Sequence, residues 1–190
     1  MLNKNTEKYN KFAARNGVAI PIIQRDYVQG ADVNFEKRDK FIKKLLDALL
    51  NRETCELHFI YGSTDMTKTS EPYFQPVDGQ QRLTTLALIG WLLNQKCGLK
   101  YSGCLKSLTY TSRPSTEQFC KLMHEFKLPE KYVPSISDYI KNVPGWFSES
   151  WKLDSSINSM LEFLDKADFV LGSEPYKDHI EDMADTFFND

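Results

Sequence analysis

The sequence has 190 residues, 41% hydrophobic and 26% charged, which is typical of one globular domain with or without an extension. No apolar run approaches the ~20 residues that a membrane-spanning helix needs, and the polar first eight residues lack the apolar core of a signal peptide. These properties exclude a membrane-spanning protein, and we expect a cytoplasmic one.

The formal net charge of −2 conceals an uneven distribution of charged side chains. Of the 26 acidic and 24 basic residues, residues 149–190 hold 11 and 3, so the rest of the chain is net basic. This split is compatible with an N-terminal part that meets phosphate groups. It is equally compatible with two solvated surfaces of opposite sign.

Cysteine and histidine spacing argues against a metal site. The four cysteines form no CxxC pair, and the three histidines lie far apart in no ligand-like pattern. We therefore predict reduced thiols, and no zinc site or metal catalysis built on cysteines or histidines.

Hydrophobic periodicity predicts strands mainly in the first 111 residues. In chain order, the pattern predicts an amphipathic helix over 34–52, a strand over 57–62, a polar hairpin loop over 63–71 and a strand over 73–77. Pro76 places that last strand at a sheet edge or marks its end. A helix is predicted over 80–95 with Leu83, Leu86, Ala87, Gly90 and Leu93 on its buried side, and Gly98 ends it.

Helices dominate the second half of the predicted elements. A third strand over 105–111 precedes a helix from Ser115 to about Phe126, which the capping-box spacing of Ser115 and Gln118 would begin. After a proline-punctuated stretch, helices are predicted near 154–171 and 176–188. The last one ends with Phe187 and Phe188 and nothing to cover them, so we expect a segment cut from a longer protein.

The segment from Asp78 to Thr85 is the strongest candidate for a binding site. A strand ends, Asp78-Gly79 turns the chain, and a helix begins whose first N–H groups lack intrahelical partners and carry partial positive charge. Gly79 permits close backbone approach, and Arg82 in the first turn can grip a phosphate. Asp78 can orient Arg82, position Mg²⁺ or polarise a water, while Gln80 and Gln81 add neutral donors and acceptors.

A purely structural interpretation of the same residues stays open. Asp78 would be only a helix cap, Arg82 would bind a carboxylate, and Gln80 and Gln81 would face solvent. Helix capping, however, does not require two glutamines followed by an arginine at a helix start.

A second candidate lies between Ile20 and Tyr27. Gln24, Arg25 and Tyr27 follow a proline-led apolar segment, and in an extended chain Gln24 would lie on the face opposite Arg25 and Tyr27. Arg25 can reach a phosphate, and Tyr27 can stack on a base or simply pack. A surface arginine beside a packing tyrosine is the structural alternative.

Together these two stretches resemble the DGQQR family. The resemblance rests on Ile20-Pro21, on Gln24-Arg25-x-Tyr27, on the helix and hairpin that follow, and on Val77-Asp-Gly-Gln-Gln-Arg-Leu-Thr-Thr-Leu86. Residues 110–113, followed by a helix, are also similar to the family's segment after the motif helix. Members include part of the GmrSD modification-dependent restriction enzymes and the phage-defence proteins SspE and BrxU.

The resemblance implies an α+β fold of the ParB/sulfiredoxin-like type, a small mixed sheet with helices over residues 1–126, followed by a helical extension over 127–190. Gly79 to Arg82 has the G-x-x-R spacing of phosphate-binding ParB-type domains. By family analogy, the nucleotide-binding residues would be Gln24, Arg25, Asp78, Gly79, Gln80, Gln81 and Arg82. The catalytic residues would be Asp78, Gln81 and Arg82, with a nucleoside triphosphate (NTP) and Mg²⁺ as cofactors.

The implied function is NTP binding and hydrolysis coupled to DNA restriction, with DNA and a nuclease domain or subunit as partners. The chain has Gln29 where the family usually has a tryptophan, and it carries no nuclease signature. One alternative is a non-hydrolytic ParB-like module that recognises nucleotide or modified DNA, with lysines of the 35–52 helix on phosphates. Another is a degenerate domain that serves only assembly.

Overall fold

The computed structural model describes residues 7–21, 26–31, 35–65, 73–102, 108–111, 113–129 and 133–189. Within these ranges the chain forms the predicted α+β fold, a small mixed sheet packed with helices. The strands are β1 (Gly17–Ile20), β2 (Tyr61–Asp65), β3 (Tyr73–Asp78) and β4 (Leu108–Tyr110).

The sheet topology gathers three chain segments at one edge. The strand order is β2-β3-β1-β4, with β1 parallel to both β3 and β4, and β2 antiparallel to β3. The carboxyl ends of β1, β3 and β4 therefore point the same way. The segments that follow Ile20, Asp78 and Tyr110 emerge there side by side, which is where ligands bind in many α/β sheets.

The helices follow the predicted order with two additions, the first and the fifth. They are α1 (Tyr9–Arg15), α2 (Phe35–Leu50), α3 (Gln80–Lys96), α4 (Pro114–Glu125), α5 (Ile136–Asn142), α6 (Ser155–Leu171) and α7 (Ile180–Asn189), with 3-10 turns at Glu149–Leu153 and Lys177–His179. Short α1 and β1 and proline-flanked α5 were not predicted. The predicted helix over 176–188 begins only at Ile180, after the second 3-10 turn.

Helix α3 runs through the middle of the core. Its predicted apolar side is buried, except that Ala87 is only half-buried, and Leu88, Ile89 and Leu92 on other sides are buried as well. Burial on nearly all sides identifies α3 as a core helix with little amphipathic character. Gly98, at φ +62°, lies in the turn that follows the helix, as predicted.

The C-terminal helices α6 and α7 pack onto α2 and α3 and share one hydrophobic cluster with them. Phe187 and Phe188 are each only 8% exposed. The ring of Phe188 stacks on Tyr101 at 4.5 Å, and that of Phe187 lies 5.7 Å from Tyr9. The expectation that these two rings lie uncovered is wrong, so they give no reason to assume a missing covering segment. The boundary at residue 126, between the small-sheet domain and the helical extension, stays a prediction.

Two local predictions fail for identifiable backbone reasons. The strand predicted from Leu57 begins only at Tyr61, because His58 has φ +59° and cannot continue an extended chain. The strand then continues through residues 63–65, which were predicted to belong to the hairpin loop. Helix α4 is capped by Arg113, with no side-chain hydrogen bond, and starts at Pro114, so the capping-box assignment of Ser115 and Gln118 is wrong. Proline at the first helical position suits its fixed φ.

Pro76 lies inside β3, opposite Gly62 of β2 and beyond the residues of β3 that pair with β1. Because β3 has a neighbour on both sides and continues to Asp78, both predicted placements, at a sheet edge and at the strand's end, are wrong. Proline is tolerated here because the pairing with β1 is at Tyr73 and Phe74, before the position that lacks an N–H group. Among the described residues, no helix has both the length and the apolar character needed to cross a membrane.

Candidate functional site

The turn between β3 and α3 is built around Gly79. Its φ of +93° is a left-handed conformation that favours glycine, and a Cβ there would lie 2.7 Å from Cγ1 of Ile60. Gly79, rather than Asp78, is the N-cap of α3, and it has no side chain with which to bond the first-turn N–H groups. The start of α3 therefore keeps the backbone character of an anion site.

Arg82 is held in place by two contacts. Its Nη2 donates to Oδ2 of Asp78 at 2.8 Å, and its Nη1 donates to the carbonyl oxygen of Leu57. The Asp78 side chain is 56% exposed, whereas that of Arg82 is 23% exposed. Arg82 thus binds a carboxylate, as the structural alternative supposed, and the pair lies open to a competing anion.

Gln81 binds residues 26–29 to the start of α3. Its Oε1 accepts hydrogen bonds from the N–H groups of Val28 (3.0 Å) and Gln29 (3.1 Å), and its Nε2 donates to the carbonyl oxygen of Asp26 (2.8 Å). Gln80 is 4% exposed. Gln80 therefore does not face solvent, whereas Gln81 is half-buried and its amide is occupied in positioning the backbone.

The segment from Asp26 to Ala31 is packed firmly against the helices. Tyr27 is fully buried and its hydroxyl lies 3.0 Å from that of Thr85, so it packs and offers no face to a base. Burial raises the pKa of Tyr27 far above its usual value. A Cβ on Gly30 would lie 2.0 Å from the carbonyl oxygen of Ser159, and Arg38 donates to the Gly30 carbonyl. Because helix and loop backbones touch at Gly30, a large side chain has no room there.

A second arginine–aspartate pair lies at the same edge of the sheet. Nη2 of Arg113, which follows β4, lies 2.8 Å from both carboxylate oxygens of Asp26. The hydroxyl of Ser155 at the start of α6 donates to the same carboxylate at 2.8 Å. Gln81 and Asp26 therefore link the arginine-bearing turn of α3 to the starts of α4 and α6.

Asp154 accepts hydrogen bonds from the starts of both α4 and α6. Its Oδ1 caps α6 by accepting from the N–H groups of Ser156 and Ile157, and its Oδ2 accepts from the hydroxyls of Ser115 and Thr116. Burial alone would raise the pKa of Asp154, but these four hydrogen bonds outweigh it and lower the pKa below its usual value.

The family model for the GmrSD restriction endonuclease, N-terminal domain, matches residues 3–189, almost the whole chain. The chain belongs to this family. The searches of curated proteins and of solved structures found no match. Membership places the chain among proteins of DNA restriction and phage defence.

In this GmrSD N-terminal domain, the structure brings together part of the predicted site. Asp78, Gly79, Gln80, Gln81 and Arg82 form one continuous turn, whereas Gln24 and Arg25 lie outside the described residues. Asp26, the described residue that follows Arg25 in the sequence, accepts a hydrogen bond from Gln81 through its carbonyl oxygen. No group of three His, Cys, Asp or Glu side chains in the described ranges could hold a metal ion.

Sequence reasoning missed the site roles of Asp26, Arg113 and Asp154. Arg113 lies in the segment that carries part of the family resemblance, which was the one signal pointing to it. Its contact with Asp26 spans 87 positions, and local patterns contain no information at that separation. The structure therefore places two guanidinium groups, each bound to an aspartate, at one edge of the sheet, and guanidinium donors suit carboxylate and phosphate alike.

Proposed function

We propose that this domain binds and hydrolyses a nucleoside triphosphate at the turn between β3 and α3, and that this hydrolysis is coupled to DNA restriction. The observation that carries the proposal is the exposed Asp78–Arg82 pair over a helix start with no capping side chain. The G-x-x-R spacing of Gly79 and Arg82 supports a ParB-like mode of phosphate binding. Phosphate oxygens would accept from the N–H groups of the first turn of α3 and from Arg82.

Phosphate binding would rearrange the ion pair at the turn. A phosphate carries more negative charge than the single carboxylate of Asp78, so it competes for Nη2 of Arg82. Arg82 can keep its bond to Leu57, which holds the guanidinium in place during the exchange. Asp78, once released, becomes the carboxylate that orients the attacking water, and Arg82 neutralises charge on the transferred phosphoryl group.

The other predicted residues have supporting roles in this proposal. Gln81, expected as a catalytic residue, would act by positioning residues 26–29, because its amide is bonded to their backbone. Gln24 and Arg25, which precede these residues, would complete the pocket. Mg²⁺ would enter with the nucleotide, held by phosphate oxygens and water, and when bound it would neutralise phosphate charge.

The alternative function is a non-hydrolytic module that binds nucleotide or modified DNA. It is favoured by the engagement of Asp26, Asp78 and Gln81, which leaves each of them already bonded within the protein. The exposed side chains of Lys37, Lys40, Lys43 and Lys44 on α2 would then meet DNA phosphates. A nuclease domain or subunit would act as the partner in both cases.

The two functions differ in phosphate release. We expect the purified chain, incubated with ATP, GTP, CTP or UTP and Mg²⁺, to release inorganic phosphate from at least one of them. Calorimetric binding of a nucleotide with no release above a protein-free control would support the binding module instead. Absence of both would contradict the proposed function.

Replacing Asp78 with asparagine is expected to reduce phosphate release about 100-fold while leaving nucleotide affinity within about threefold. Asparagine cannot act as a base, but it no longer competes with phosphate for Arg82. Steady-state phosphate release and calorimetry measure the two quantities separately. Asp138→Asn, an exposed carboxylate in the first turn of α5, is the matched control and should change neither. Undiminished release by Asp78→Asn would remove Asp78 from the catalytic residues.

A further inference from the structure

The segment 57–61 is fastened across the turn between β3 and α3 by three contacts. Arg82 binds the carbonyl oxygen of Leu57, and the side chain of Ile60 lies where a Cβ of Gly79 would be. Tyr61 is the cross-strand partner of Asp78 in the antiparallel β2–β3 pair. The position of this segment relative to the candidate phosphate site is therefore fixed by the fold.

Two aromatic rings on this segment face solvent. Phe59 is 53% exposed and Tyr61 is 46% exposed, although burial of such rings is strongly favourable. Directly opposed residues of paired strands project to the same face with Cα atoms about 5 Å apart. Tyr61 is opposite Asp78, beside a register shift between Tyr61 and Gly62, so its side chain starts next to the carboxylate that is bonded to Arg82 at 2.8 Å.

Position distinguishes these rings from other exposed aromatic side chains. Phe169, 71% exposed, is near the C-terminal end of α6, about 20 Å along the helix from the end that meets the candidate site. Phe59 instead lies two residues from Leu57, whose carbonyl oxygen accepts from Arg82. Tyr61 pairs with Asp78, the other partner of Arg82. An exposed ring beside a phosphate-binding group is the combination that binds nucleotides by stacking.

We propose that Phe59 and Tyr61 form the base-binding subsite of the nucleotide whose phosphates lie at the start of α3. The inference rests on the proposed function, because without bound phosphates no base is brought to the rings. Stacking on an aromatic face accepts purines and pyrimidines alike. The subsite therefore adds affinity for any base, and choice among bases comes from polar groups elsewhere.

The test compares ligands with and without a base. Calorimetry would measure the affinity of the wild-type chain for each NTP with Mg²⁺ and for inorganic tripolyphosphate with Mg²⁺. The double variant Phe59→Ala/Tyr61→Ala is expected to lose about 10-fold in NTP affinity and to keep its tripolyphosphate affinity. Phe59→Leu/Tyr61→Phe, which retains one ring, should recover part of the loss, and Phe169→Ala should behave as wild type.

The outcomes separate failure of the subsite from failure of the proposed function. NTP affinity unchanged in Phe59→Ala/Tyr61→Ala overturns the subsite and leaves the phosphate site standing. Equal losses for NTP and tripolyphosphate also overturn it, because the rings would then support the turn rather than a base. If the wild-type chain binds neither ligand, the proposed function and the subsite are both overturned. Thermal unfolding of each variant confirms that these exposed side chains leave the fold intact.

Discussion

Replacing Arg82 with alanine is expected to lower NTP affinity about 100-fold, equivalent to ~2.7 kcal/mol of binding free energy. The reason is that Arg82 supplies the charge-assisted hydrogen bonds to phosphate, which contribute more than neutral ones. Calorimetric titration with the NTPs and Mg²⁺ measures the change directly.

The controls for Arg82→Ala must separate charge, geometry and folding. Arg82→Lys keeps the charge but loses the planar fork, so we expect an intermediate loss of affinity. Lys121→Ala removes one exposed positive charge from α4 and should bind as wild type. Because Arg82 also binds Leu57, unfolding curves must show that the variant remains folded. A folded Arg82→Ala that binds within twofold of wild type would refute the role of Arg82.

Replacing Asp154 with alanine is expected to destabilise the fold by about 3 kcal/mol or more. The substitution removes the cap of α6 and leaves the buried hydroxyl of Thr116 without its acceptor. Urea unfolding measures the change in the free energy of unfolding. Asp138→Ala, which removes an exposed carboxylate from α5, should cost less than about 0.5 kcal/mol. A loss below about 1 kcal/mol in Asp154→Ala would contradict this account of the α4–α6 junction.

The lowered pKa of Asp154 sets the direction of its pH dependence. A carboxyl whose pKa is lower in the folded than in the unfolded state contributes stability that is fully present above its unfolded pKa of about 4. That contribution declines as the pH falls from there towards the folded pKa. The unfolding free energy of Asp154→Asn should therefore fall less steeply below pH 4 than that of the wild type.

Local sequence patterns were sufficient for the elements with strong periodicity. Helix α2 and helix α6 formed within two residues of their predicted bounds, and the strand, glycine turn and helix from Tyr73 to Gln95 formed as predicted. These segments combine regular apolar spacing with clear stop signals, so the local preference and the tertiary packing agree. The family resemblance was confirmed over almost the whole chain.

The remaining features depend on contacts that no local pattern contains. His58, with φ +59°, interrupts the predicted strand, and the preceding residue Leu57 accepts a hydrogen bond from Arg82, 25 positions away. Ser115 looked like a helix cap, but its hydroxyl is directed to Asp154, 39 positions away. The residues of the candidate site are linked to one another by the hydrogen bonds from Gln81 to Asp26 and from Arg113 to Asp26. Such long-range pairs follow from the parallel arrangement of β1, β3 and β4, which could not be deduced before the sheet order was known.

These long-range bonds also suggest how the site would communicate with the rest of the domain. A chain of hydrogen bonds runs from Gln81 through Asp26 to Arg113 and Ser155, at the starts of α4 and α6. If phosphate displaces Asp78 from Arg82, the rearrangement of Arg82 acts first on its neighbour in the chain, Gln81. If a nucleotide binds at this turn, we expect the change to reach the start of α6 through this chain of hydrogen bonds.

Hydrogen exchange measured by mass spectrometry tests the central claim most directly, because it reports where a nucleotide binds. The first-turn amides of α3, at Gln80 to Arg82, have no capping side chain from Gly79. The account predicts that a saturating NTP with Mg²⁺ slows exchange in peptides spanning residues 78–84, and that the effect disappears in Arg82→Ala. Nucleotide binding that leaves this peptide unchanged and protects another surface would contradict it.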